Sequence, residues 1–290
     1  MRYSSENLVV RSKLKPDQFG LVNQVTPQSA GWDHLSAEVR RLRAGESLRW
    51  STGEHEAVLV VLGGRCSVNS NRGEWKDLGG RATVFDGLPH ALYLPRRTEF
   101  TLTATSERVQ VAWAWAKTDR DGQPRHIRPE DCAIEERGGG NASRQITSVV
   151  PPGFGNHRLV AVEVYTPGGN WSSYPPHKHD VHREGPDGKL IEADLEELYF
   201  YQQRKPDGFA FQRVYTEDGT LDATVTARHD DFVLIPFGHH PVSAPWGYDC
   251  YYLNFLAGSA QSLAAADDPA HAWVKGTYQT KDPRIPMVKR

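Results

Sequence analysis

Short strand-like runs separated by turn residues are the feature that most constrains the fold of this chain. Such runs cover residues 57–62, 90–94 and 109–115 in the first half, and 159–165, 197–202, 209–215 and 251–255 in the second. They are rich in β-branched and aromatic residues and are bounded by Gly, Pro and Asp. This composition predicts strands, and many short strands joined by turns favour an all-β fold of sandwich or barrel domains. Weaker patterns at residues 32–42 and 257–266 predict two helices.

An internal repeat predicts two β domains in tandem. Residues 82–90 align with residues 232–240, and residues 56–61 align with residues 197–202, so that a Glu precedes a His in both halves. Residues 118–143, rich in Arg, Asp, Glu and Gly, are typical of a linker. We therefore expect an N-terminal domain at residues 1–135, a C-terminal domain at residues 144–275 and a tail at residues 276–290.

Four potential metal ligands are gathered in the second half. His177 and His179 lie two apart in Pro175-Pro176-His177-Lys178-His179-Asp180, so on extended chain both imidazoles point the same way. Glu197 begins a strand-like run, and His240 follows Pro236-Phe237-Gly238-His239. A carboxylate and a third imidazole from neighbouring strands would complete a site for one divalent metal. The first half has no His pair before Glu56, so we expect metal only in the C-terminal domain.

Two neighbours of these residues leave alternatives open. His239 and His240 both follow Gly238 closely in the chain, so His239 is a rival to His240 as the third imidazole ligand. Glu197 should face inward with Tyr199 and Tyr201 by strand alternation, where an unpaired charge is costly. Glu196 should face the other side as a solvated charge.

Composition excludes several classes of function. The net charge of -2 over 290 residues provides no general attraction to nucleic acid or to an anionic membrane. No apolar run approaches transmembrane length, and the N-terminus lacks a signal-peptide pattern. The three cysteines, Cys66, Cys132 and Cys250, form neither a disulfide framework nor a zinc-finger spacing. We expect a cytoplasmic protein.

The second half resembles a known family. Residues 168–180, Leu195-Glu196-Glu197-Leu198-Tyr199-Phe200-Tyr201 and Pro236-Phe237-Gly238-His239-His240-Pro241-Val242 are similar to the 5-deoxy-glucuronate isomerases of bacterial myo-inositol catabolism. These are bicupins, related to the ketol-isomerases that act on pectin-derived deoxy-uronates. The resemblance implies two tandem cupin domains, each a double-stranded β-helix or jelly roll. It also implies that His177, His179, Glu197 and His240 hold the metal, with zinc first and Mn, Fe or Ni as alternatives.

The resemblance further implies an aldose–ketose isomerisation of 5-deoxy-D-glucuronate to 2-deoxy-5-keto-D-gluconate. A divalent ion would polarise the carbonyl, and a base would move a proton between adjacent carbons through an enediolate. Our candidates for the proton shuttle are Tyr201, Tyr199 and His239, with a hydride shift as the rival route. Arg213 could bind the substrate carboxylate as a bidentate pair, although a surface ion pair is the alternative role for it.

Two other functions fit the same ligands. A cupin dioxygenase would use ferrous iron and consume oxygen, and a sugar-acid-binding bicupin would show no turnover. The expected partners are a small sugar acid and a second copy of the chain, since barrel domains often pair through exposed edge strands.

Overall fold

A computed structural model of the protein describes residues 1–289, and strands make up most of its regular structure. The strands are β1 (Val9–Val10), β2 (Gly20–Val25), β3 (Leu35–Arg43), β4 (Ser47–Ser51), β5 (His55–Gly63), β6 (Arg65–Ser70), β7 (Gly73–Gly79), β8 (His90–Leu94), β9 (Glu99–Ala104), β10 (Arg108–Lys117), β11 (Arg125–Ile127), β12 (Ala133–Arg137), β13 (Arg144–Val150), β14 (Val160–Thr166), β15 (Trp171–Ser172), β16 (His177–Lys178), β17 (Arg183–Glu184), β18 (Leu190–Glu192), β19 (Leu195–Gln203), β20 (Phe209–Tyr215), β21 (Asp222–Arg228), β22 (Phe232–Ile235), β23 (Val242–Ser243), β24 (Cys250–Gly258) and β25 (Ala266–Asp267). The helical pieces are α1 (Pro27–Ala30) and three 3-10 turns, Pro129–Asp131, Gly140–Ala142 and Ala272–Thr277. None of the helices within residues 1–289 is long and apolar enough to cross a membrane.

The strands form two large sheets, each accompanied by a four-stranded sheet. The first large sheet has the order β11-β8-β5-β10-β3-β2 and its companion β4-β9-β6-β7. The second has the order β1-β22-β19-β24-β14-β13-β12 and its companion β15-β23-β20-β21. Neighbouring strands pair antiparallel. The all-β prediction is confirmed, and the N-terminal strand β1 joins the second sheet by pairing with β22.

The interior of the first unit is apolar. Its core packs Leu59, Val61 and Val111 of the large sheet against Val68 and Leu102 of the companion sheet. The other faces of the two large sheets meet in a second, larger core that contains residues of both halves of the chain. The two sheets of the first unit are therefore held together by apolar packing.

Reciprocal carboxylates connect the two units. The buried Glu56 on β5 accepts hydrogen bonds from the backbone N–H groups of His157, Arg158 and Leu159, which precede β14. Glu196 on β19 accepts from the N–H groups at the start of β3, those of residues 33–35. The prediction that Glu196 is a solvated charge is therefore wrong. It faces away from Glu197 as expected, but that face packs against the other unit and is only 9% exposed.

The pairing registers correct the internal repeat. In the first sheet Ala57 pairs with Leu94, and in the second Glu197 pairs with Ile235. Both partners are followed by proline. The counterpart of Glu197 is therefore Ala57, and Glu56 corresponds to Glu196, one residue away from the predicted alignment. The overlay of residues 82–90 on 232–240 is also wrong, because β8 supplies the matching strand. A shift of one residue moves every side chain to the opposite face.

The two predicted helices are wrong as well. Residues 35–43 form the strand β3, which lies between β10 and β2. Its side chain Arg41 is buried in an ion pair with Asp230. Ala257 lies near the end of β24, and residues 259–265 are irregular. Sheet pairing and burial outweigh local helix propensity, which is a weak preference of under about 1 kcal/mol per residue.

Candidate metal centre

Three buried side chains converge inside the second unit. His179 follows β16, Glu197 lies on β19 and His240 lies in the connection between β22 and β23. The Glu197 Oε2 atom is 2.9 Å from His179 Nε2 and 3.2 Å from His240 Nε2. One ligand atom of each residue lies within 4.8 Å of the other two. Strands far apart in sequence thus bring an oxygen and two nitrogens to one point.

Hydrogen bonds orient both imidazoles toward that point. The Nδ1 of His179 is 2.8 Å from the Leu195 carbonyl oxygen, and the Nδ1 of His240 is 2.8 Å from the Gly238 carbonyl oxygen. Each Nδ1 can only donate there, so in the neutral ring Nε2 carries the lone pair. Such second bonds typically fix the tautomer of metal-binding histidines.

The lone pairs and the negative charge of the cluster favour a bound cation. His240 Nε2 is buried and makes no hydrogen bond among the described residues, although a carboxylate oxygen lies near it. A lone pair facing a carboxylate is repulsive unless a positive charge lies between them. Two imidazole nitrogens and a carboxylate oxygen are common ligands of zinc and other divalent transition metals.

The contacts within the cluster also shift the pKa values of Glu197 and His179. Burial raises the pKa of Glu197, but the adjacent His179 and His240 imidazoles outweigh this effect and bring the pKa to about 2. Burial lowers the pKa of His179, and its hydrogen bond with Glu197 more than reverses this effect. The carboxylate is therefore ionised and available to a cation at neutral pH.

His177 lies at the edge of this cluster. Its ring contacts that of His240 edge-on, with ring centroids 4.8 Å apart. It does not belong to the group whose ligand atoms all approach within 4.8 Å, which among residues 1–289 contains only His179, Glu197 and His240. Burial and the neighbouring His240 hold the pKa of His177 well below its usual value. The His177 ring is therefore neutral and adjacent to the other three side chains.

A cavity of about 700 Å³ adjoins the cluster. The inward faces of β13, β14, β19 and β24 line it, and His177, His179 and Glu197 form part of its wall. Residues 278–281, beyond the last 3-10 turn, lie along its rim. A volume of this size is in the range of small-molecule sites.

The candidate proton shuttles occupy different positions. Tyr199 lines the cavity, and its hydroxyl lies 3.0 Å from Ser173 Oγ. Tyr201 stacks on Tyr199, but it is not part of the cavity wall, and its hydroxyl donates to Gln212 Oε1 at 2.8 Å. His239 stacks on Tyr215 and belongs neither to the cavity wall nor to the ligand group. The structure thus brings Tyr199 and His240 to the site, but not Tyr201 or His239.

Arg213 lies outside the cavity, in the surface ion pair that was its alternative role. Its guanidinium makes a bidentate pair with Asp222 at 2.8 Å, and the side chain is 44% exposed. Strand β20 alternates buried and exposed residues, and Arg213 falls on the exposed side. Since it does not line the cavity, it is not positioned to bind a ligand there.

Sequence reasoning missed several polar residues of the cavity wall, including Arg144, Tyr252, Asn254 and Tyr278. One signal was present for the first of these. Arg144 shares an alternating pattern with Ile146 and Ser148, and all three line the cavity. The sequence did not show which face of β13 would point inward.

Comparison with known proteins shows which family this chain belongs to. The model of the KduI/IolB family matches residues 8–274. A 5-deoxy-glucuronate isomerase of Geobacillus thermodenitrificans is 40% identical over 91% of this chain and 94% of its own length. One of Bacillus subtilis strain 168 is 35% identical over 88% of this chain and 92% of its own length.

Solved structures are similar along most of the chain. The crystal structure of an IolB-like protein from Salmonella typhimurium has a TM-score of 0.87 and 34% identity, covering 92% of this chain and 99% of that one. An oxalate decarboxylase of Lactobacillus farciminis has a TM-score of 0.63 at 11% identity, over 91% of this chain and 87% of its own. The second likeness concerns the fold alone, and the predicted cupin architecture is confirmed.

Proposed function

Because the chain belongs to the KduI/IolB family, we infer that it is a 5-deoxy-glucuronate isomerase. The structural observation that most supports this inference is the convergence of His179, Glu197 and His240 beside a cavity of about 700 Å³. An aldose–ketose isomerisation has no net redox change, so it needs an electrophile at the carbonyl rather than a redox cofactor.

We propose that His177, His179, Glu197 and His240 hold one divalent metal ion. Zinc is the first candidate, and Mn, Fe or Ni are alternatives that suit the same nitrogen and oxygen donors. When bound, the ion supplies Lewis acidity to the oxygens at the carbonyl end of the sugar acid. The buried imidazoles fit this role because both Nε2 atoms already point at Glu197.

Tyr199 is our candidate for a proton donor beside these ligands. Its ring centroid lies 5.9 Å from that of His240, and it lines the cavity. Burial and the nearby Glu197 raise its pKa well above the usual value, so the hydroxyl keeps its proton at neutral pH. It can therefore donate a hydrogen bond to an oxygen on which negative charge develops.

The biological setting is also a proposal. We propose a role in myo-inositol catabolism, which the family resemblance implies, and a reducing cytoplasm, which the three buried cysteines fit. We also predict that the chain forms a homo-oligomer, which size-exclusion chromatography would test.

The decisive experiment is NMR of 5-deoxy-glucuronate with the metal-loaded protein, under nitrogen and in deuterated water. We expect conversion to 2-deoxy-5-keto-gluconate, with deuterium entering beside the carbonyl if a proton relay operates. Conversion without exchange would favour a hydride shift. Turnover only in the presence of oxygen would instead indicate a dioxygenase, and binding without turnover a sugar-acid-binding protein.

The matched control is Glu197→Gln, which keeps the shape of the side chain but removes its charge. We expect this variant to lose both bound metal and conversion while it stays folded, as measured by elemental analysis and circular dichroism. Full activity in a variant free of transition metal would contradict the proposed site.

A further inference from the structure

Arg144 is a buried cation in the cavity wall. Arg144 is the first residue of β13, and it lines the cavity and is 5% exposed. One guanidinium nitrogen, Nη1, donates to the carbonyl oxygen of Ala142 at 3.0 Å. No ion pair within residues 1–289 includes it, in contrast to the other fully buried arginines, Arg41 and Arg81, which pair with Asp230 and Glu163. A buried charge without a counter-charge is costly, so its position calls for an anion.

The other cations around the cavity already have partners. Arg137 makes a bidentate pair with Glu135, and Lys275 pairs with Asp267. Lys281 donates to the Gly138 carbonyl oxygen. The only fully buried carboxylate of the wall is Glu197, which lies with His179 and His240. Arg144 is therefore the only buried Lys or Arg of the described cavity wall, and no carboxylate pairs with it.

Aromatic residues connect Arg144 to the metal ligands. The guanidinium lies close enough to Tyr252 and Tyr278 for its charge to act on both hydroxyls. The Tyr252 ring lies 4.7 Å from that of Tyr199, which in turn is 5.9 Å from His240. Arg144, these tyrosines and the imidazoles of His177 and His179 therefore line the same cavity.

We propose that Arg144 binds the carboxylate of the sugar-acid substrate, while the imidazole cluster faces its carbonyl end. The proposal rests on the proposed function, because the two ends of an open-chain uronate carry these two groups. A planar guanidinium can hold a carboxylate through two parallel hydrogen bonds. The site then selects acids over neutral sugars, since the buried charge is compensated only when an anion is bound.

The test compares Arg144→Met and Arg144→Lys with the metal-loaded wild type. Substrates are 5-deoxy-glucuronate and, as turnover substrate or inhibitor, the uncharged 5-deoxy-glucose. We expect Arg144→Met to raise the KM for the acid by about 100-fold, as for loss of one partner of a buried charge pair. The affinity for 5-deoxy-glucose should change by less than about 3-fold. Arg144→Lys should fall between, because it keeps the charge but not the fork.

The control is Arg213→Met, which removes an arginine of the same barrel outside the cavity and should leave the KM unchanged. Metal content and melting temperature show that each variant is folded and loaded. An unchanged KM for the acid, or an equal loss for both sugars, overturns the proposal. If Arg144→Met does not fold, the acid-to-neutral ratio of Arg144→Lys decides. A wild type without conversion refutes the proposed function instead, so the two failures are distinguishable.

Discussion

The substitution Glu56→Gln tests whether the two units depend on the carboxylate at their boundary. Glu56 is fully buried and accepts hydrogen bonds on both oxygens. Oε1 accepts from Asn156 Nδ2 and from the N–H groups of Arg158 and Leu159, at 2.7 to 3.1 Å. Oε2 accepts from the His157 N–H at 2.9 Å and from the Tyr93 hydroxyl at 3.3 Å.

Glutamine can keep only one of these two sets. With its oxygen in the position of Oε1, the amide group faces the His157 N–H, and that donor loses its acceptor. An unsatisfied donor costs about 1–3 kcal/mol, and hydrogen bonds to a neutral oxygen are weaker than those to a charged one. We therefore expect a loss of about 3 kcal/mol, which corresponds to a melting temperature lower by roughly 5–10 °C.

The assay is thermal unfolding of metal-loaded protein, beside isomerisation at a temperature where both proteins are folded. Activity there should stay near wild type, because Glu56 does not line the cavity. Glu74→Gln is the control: Glu74 pairs with Lys76 at 3.6 Å, and both are more than half exposed. This control should change stability by less than about 0.5 kcal/mol. A Glu56→Gln melting temperature equal to that of the control would refute the reasoning.

Two further predictions concern the site. Tyr199→Phe should lower kcat by about 10- to 100-fold with metal retained, because a donor hydroxyl is removed from the cavity. Tyr201→Phe should leave kcat near wild type. It should lower the free energy of unfolding by about 1–3 kcal/mol, because the buried Gln212 side chain loses its hydrogen-bond donor. Equal kcat losses in both variants would contradict the assignment. In chelator-treated protein the pKa of His179 is higher in the folded state than its unfolded value of 6.5. Protonation of His179 should therefore stabilise the fold fully below about pH 6.5, and this stabilisation should be lost as the pH rises through the folded pKa. The melting-temperature gap between wild type and His179→Gln should therefore be wider near about pH 5.5 than near about pH 8.5, and a gap that widens toward high pH would contradict the sign.

Burial explains which predictions from the sequence failed. Glu196 was expected to be a solvated charge, but the two large sheets pack face to face and bury it. Period-two alternation indicates that Glu196 and Glu197 point to opposite faces, but it cannot say that both faces are covered. Arg213 and Arg144 illustrate the same gap. Each lies on a strand with alternating neighbours, and only the closed sheet shows which of them points inward.

The sequence by itself determined the strand-rich character of the chain, its two-fold repetition and the chemical types of the proposed ligands, because side-chain chemistry and strand periodicity are local properties. Tertiary structure decided the rest. Pairing register assigned Ala57 rather than Glu56 as the counterpart of Glu197, and the turn after Gly238 brought His240 rather than His239 to the cluster. These choices depend on which strands become neighbours, and a one-residue shift in pairing reverses them.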